Sequence, residues 1–66
     1  MFDSNLRAER ARRDLTQQEL ATKAGLSKLS ILNYESGRSK PGTKALTSLA
    51  DALGMTTDEL LGRGDK

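Results

Sequence analysis

Lys28, Asn33, Arg38, Ser39, Lys40 and Lys44 place ammonium, carboxamide, guanidinium and hydroxyl groups at short intervals through the middle of the chain, with Leu29 and Leu32 interleaved. The chemistry open to such groups is hydrogen bonding, charge attraction and apolar contact. Bond-making chemistry has little to start from. The 66 residues include no histidine and no cysteine. A metal site would have to be all carboxylate, which suits zinc poorly. No paired carboxylates share a predicted face, so no general acid–base couple can be assembled. No enzyme activity, metal or cofactor is expected, and binding is the function class that remains.

Charge indicates what could be bound. The net charge of +2 hides an asymmetry. Residues 1–44 carry nine Lys or Arg against five acids, whereas residues 45–66 carry two against four. A basic front and an acidic back suit a protein that docks one face on a polyanion. An ordinary mixed surface would have a similar composition, so charge alone leaves both readings open. No apolar run approaches the roughly 20 residues needed to span a bilayer, and the N-terminus has no secretory apolar stretch. A soluble cytoplasmic protein with no membrane partner is expected. A single small domain over residues 1–61 is within reach of one core, followed by a flexible tail over residues 62–66.

The elements that must position these groups are all helical. Asp3 or Ser4 can cap a first helix that runs to about Arg13, with Phe2, Leu6, Arg10 and Ala11 at helical spacing on one side. Asp14 falls where the chain must leave that helix, in a left-handed conformation that Asp tolerates better than most residues. Thr16 and Glu19 form a T-x-x-E capping box that opens a second helix, with Leu15 and Leu20 at staple positions. Leu20, Ala21 and Ala24 form its narrow apolar strip, and Gly25 ends it. Ser27 can cap a third helix ending near Glu35 or Ser36, with Gly37 as its terminal glycine. Leu29, Ile31, Leu32 and Tyr34 cannot all share one stripe at 3.6 residues per turn. Ile31 and Tyr34 are the natural inward pair, which displaces Leu29 and Leu32 outward. A fourth helix, about Thr43 to Leu53, shows Leu46, Leu49, Ala50 and Leu53 at i, i+3, i+4, i+7. Thr56 and Glu59 repeat the capping box for a short fifth helix. No strand pattern is present, so the fold class is all-α.

Two helices joined by a short turn containing Gly form a helix-turn-helix. Small Ala21 allows the two helices to cross closely, Gly25 allows the turn, and Ile31 locks the second helix onto the first. The wider pattern resembles the lambda-repressor-like, XRE-type helix-turn-helix family of DNA-binding proteins. The residues that carry the resemblance are Leu6-Arg7 and Arg10, L-T-Q-x-E-L-A from Leu15 to Ala21, and Gly25-Leu26-Ser27. They continue through Ile31, Glu35-x-Gly37, Pro41, Leu49-Ala50-x-x-Leu53-Gly54 and Asp58-Glu59-Leu60-Leu61. The chain departs from the family at Asp14, where glycine is usual, and at Thr43, often a leucine.

The resemblance implies a five-helix domain that binds double-stranded DNA, usually as a homodimer. It makes Gln17 a phosphate-gripping residue, and Gln17 also sits at a helix N-terminus, where free N–H groups favour an anion. It makes Ser27, Lys28, Leu29, Leu32 and Asn33 the base-reading set. Lys28 can donate to guanine O6 and N7 or to a phosphate, and Asn33 can pair with adenine N6 and N7. Leu29 and Leu32 can contact a thymine methyl. Arg38, Ser39, Lys40 and Lys44 are expected to follow the phosphate backbone, setting register without reading sequence. Arg10 and Glu35 are expected to form a partly buried ion pair that orients the third helix.

The function implied is a sequence-specific transcriptional regulator, most simply a repressor on a palindromic operator, with no small-molecule ligand. Met55, Leu60 and Leu61 are available either for a dimer surface or for closing the core. The competing reading is a protein-interaction module, such as an antitoxin or anti-repressor partner, docking through the acidic C-terminal part.

Overall fold

A computed structural model describes residues 1–62, so the expected tail is outside the described residues beyond Gly62. Five helices follow in order: α1 (Phe2–Arg12), α2 (Gln17–Ala24), α3 (Lys28–Glu35), α4 (Thr43–Leu53) and α5 (Thr57–Leu61). α2 packs on α3 and α4, and α1 packs on α3 and α5. Leu6, Leu20, Ala21, Ile31, Leu49, Ala50, Leu53 and Leu60 form one buried core to which every helix contributes.

Local sequence explains most boundaries. Thr16 and Thr56 each head a complete capping box, accepting from the backbone N–H of Glu19 and Glu59 while those carboxylates accept from the Thr backbone N–H. These boxes satisfy helix-start donors that have no partner within the helix. Gly25 closes α2 at φ 71°, a left-handed conformation that suits glycine. Asp14 takes the same conformation at φ 56° without glycine's freedom. The bend lets Leu15 N–H return to Arg10 C=O at 3.2 Å, which closes the end of α1.

The start of α1 differs from expectation. Asp3 and Ser4 lie inside the helix, and Met1 is the cap residue without a side-chain cap bond. The earlier start brings Phe2 onto the helix one turn before Leu6, so that both pack on the core. Ala11, expected on the inner side, is exposed. Gly62 is the left-handed cap of α5 at φ 84°. Leu60 is fully buried and closes the core, which removes it from any dimer surface, while Met55 and Leu61 are half-buried.

Candidate nucleic-acid interface

α3 is divided cleanly between an inner and an outer face. Ser27 caps it by accepting from Ser30 N–H at 3.1 Å. Ile31 and Glu35, four residues apart, are buried. Tyr34 packs half-buried against the core. Leu29 is 65% exposed and Leu32 44% exposed, which makes them two of three large apolar side chains left in solvent among the described residues. Ser27 and Lys28 are exposed, and Asn33 is half-buried. The five residues expected to read bases thus all retain access to solvent.

Glu35 holds the inner face in place. Arg10 Nε donates to Glu35 Oε2 at 2.6 Å, and Arg10 Nη2 donates to Oε1 at 3.1 Å. Arg10 Nη1 also donates to Leu15 C=O at 2.7 Å. The hydrogen bond with Glu35 raises the Arg10 pKa above its ordinary value; burial opposes the rise and the carboxylate's charge adds to it. Arg10 is therefore charged at every pH of interest. Glu35 itself is 3% exposed. Without its partner the carboxylate would be a buried unpaired charge, which proteins avoid.

Two further contacts on Glu35 escape local sequence patterns. Gln17 Nε2 donates to Glu35 Oε1 at 3.1 Å, which ties the first residue of α2 to the last residue of α3. One amide hydrogen of Gln17 is thereby committed inward, and the second is left to donate elsewhere. Arg7 Nη1 donates to the Glu35 main-chain carbonyl. Arg7 and Arg10, three apart, share one side of α1, and both reach Glu35. The Glu35 carbonyl, which has no partner within α3, is what the Arg7 guanidinium meets at that helix end.

Beyond Glu35 the chain turns through Gly37 at φ 78° into Arg38, Ser39 and Lys40. Arg38 and Ser39 N–H return to Asn33 C=O at 3.0 and 3.3 Å, fixing the loop to α3. All three side chains are exposed, as is Lys44 in the first turn of α4. Among the described residues Lys28, Arg38, Lys40 and Lys44 enter no ion pair, whereas Arg12 and Arg13 are drawn to Glu9 at 3.1 and 2.7 Å. These four lie on α3, the loop after it and the start of α4; Arg7 on α1 and Lys23 on α2 also enter no ion pair among the described residues. Gln17, through Glu35, meets the same end of α3.

The profile of the helix-turn-helix family matches residues 6–60. The chain belongs to the helix-turn-helix family. Among relatives of this helix-turn-helix chain is YqaE of Bacillus subtilis, an uncharacterized HTH-type transcriptional regulator. It is 36% identical over 61 residues, which cover 92% of this chain and 53% of YqaE. RstR of Vibrio cholerae, a transcriptional repressor of the cryptic phage CTXphi, is 38% identical over 61 residues, 92% of this chain and 55% of RstR. The chain spans about half the length of the curated relatives it matches. The solution structure of the P22 c2 repressor DNA-binding domain matches with a TM-score of 0.90 at 29% identity, covering 98% of this chain and 84% of that one. The P22 c2 repressor in complex with a synthetic operator matches with a TM-score of 0.86 at 27% identity, covering 91% of each chain. Among the described residues no helix is long and apolar enough to cross a membrane.

Proposed function

We propose that this helix-turn-helix chain is the sequence-specific DNA-binding unit of a transcriptional regulator, most simply a repressor, which seats α3 in the major groove. The observation that carries the reading is the outer face of α3. Two exposed leucines there lie between polar groups able to read bases, on a helix whose inner face is fixed by Ile31 and Glu35. Lys28 donates to guanine or to a phosphate, Asn33 pairs with adenine, and Leu29 and Leu32 cover thymine methyls, with Ser27 beside them. Gln17, Arg38, Ser39, Lys40 and Lys44 hold the phosphate backbone on either side. Similarity to a repressor structure solved on its operator supports this placement.

One recognition helix presents about four side chains to base edges, too few to mark a unique site. Two copies on a palindromic operator, with recognition helices one helical turn apart, would double that information. Equilibrium binding to duplex DNA at several salt concentrations tests the reading. Arg38, Lys40 and Lys44 alone predict a slope of log K against log salt of about −2.7 per protomer. That corresponds to a loss of about fortyfold between 50 and 200 mM salt. Salt-insensitive binding, or none, would reject DNA as the partner.

A further inference from the structure

The last four carbonyls of α3 have no partner within the helix, yet all four are paired. Leu32 C=O accepts from Ser36 N–H, Asn33 C=O from Arg38 and Ser39 N–H, and Tyr34 C=O from Gly37 N–H. Those three are closed by the turn that follows. The fourth, on Glu35, is closed from another helix by the Arg7 guanidinium. Glu35 is thus gripped twice by α1, through its carboxylate by Arg10 and through its carbonyl by Arg7. A side-chain contact alone would leave the backbone free to pivot about the Glu35 side-chain bonds. The second grip fixes the pitch of the final turn, on which Asn33 sits two residues earlier.

We propose that Arg7 is a positioning residue for base recognition: by holding the Glu35 carbonyl it sets the orientation of the last turn of α3, and with it the aim of Asn33. The inference rests on the reading of α3 as a groove-docking helix and adds to it a residue that touches no base. Arg7 is exposed, so the bond contributes little to overall stability. Its effect is on geometry. A bidentate carboxamide–adenine pair depends on both hydrogen bonds forming together, and a small rotation of the last turn breaks one of them. Lys28, at the other end of α3 beside the Ser27 cap, is held independently of Arg7.

The test compares the parent chain with Arg7→Gln, Arg7→Lys and Asn33→Ala, each profiled by selection from a random duplex pool. Salt slopes and melting temperatures are measured in parallel. Arg7→Gln is expected to lose about tenfold in preference at the one base position that Asn33→Ala also relaxes. The preference assigned to Lys28, the salt slope and the melting temperature should stay near parental values. Arg7→Lys, which keeps the charge but not the fork, should restore the preference in part. Combining Arg7→Gln with Asn33→Ala should cause no further loss at that position. A uniform loss across all sequences with a slope smaller by about one would make Arg7 a phosphate contact and overturn the proposal. An unchanged profile in Arg7→Gln, or a lower melting temperature alone, would overturn it too. If the parent itself enriches no sequence, the groove-docking reading fails first, and the two failures are told apart by that control.

Discussion

Replacing Glu35 by glutamine removes one negative charge from a site that is 3% exposed and leaves its shape nearly unchanged. Two hydrogen bonds from Arg10, at 2.6 and 3.1 Å, and one from Gln17, at 3.1 Å, converge on that carboxylate. In the variant a neutral carbonyl replaces one carboxylate oxygen, while the new NH2 group faces donors on the other side. Breaking a buried pair by removing one partner costs about 3–5 kcal/mol. The Arg10 side chain is 20% exposed and keeps its bond to Leu15 C=O, so water and that carbonyl offset part of the loss. About 2–3 kcal/mol remains, against a total of roughly 3–10 kcal/mol for a domain of this size. A domain this small loses about 7 °C in melting temperature per kcal/mol, so the midpoint should fall by roughly 15–20 °C. Thermal unfolding followed by far-UV circular dichroism at neutral pH measures it. The double variant Arg10→Met with Glu35→Met, which removes both charges, should lie closer to the parent than either single change. A Glu35→Gln midpoint equal to the parent's would refute the claim that this pair fixes α3 to α1.

Other residues give separate tests. Asn33→Ala should relax preference at one base position per half-site and cost about 1–3 kcal/mol of binding there; an equal loss on all sequences would mean that Asn33 reads no base. Lys40→Gln should weaken binding evenly and reduce the salt slope by about one, as measured by anisotropy titration at several salt concentrations. Asp14→Gly should raise the melting temperature by a few degrees, because Asp14 holds φ 56° where glycine is unstrained. Leu60→Ala should cost about 2–5 kcal/mol in thermal unfolding, as expected for a fully buried core residue.

The parts of the fold governed by neighbours in sequence were legible in advance. The capping boxes at Thr16 and Thr56 and the glycines at 25 and 54 mark helix ends through bonds spanning three to five residues. The split of α3 followed from period alone: Leu29, Ile31 and Leu32 cannot share one stripe, and Ile31 is the member that is buried. Asp3 and Ser4 are good cap types, yet both lie inside α1. Packing of Phe2 against the core outweighed that local preference. The bond of Gln17 to Glu35 and of Arg7 to the Glu35 carbonyl join residues 18 and 28 apart, a separation at which helical periodicity carries no information. The pairing of Arg10 with Glu35 is of the same long-range kind, and its expectation came from resemblance, not from spacing.

Selection of bound duplexes from a random pool tests most directly whether α3 reads DNA. A palindrome with half-sites centred about ten base pairs apart is expected, because two copies would place their recognition helices in successive major grooves. Failure to enrich any sequence under low-salt conditions would contradict the groove-docking role of α3.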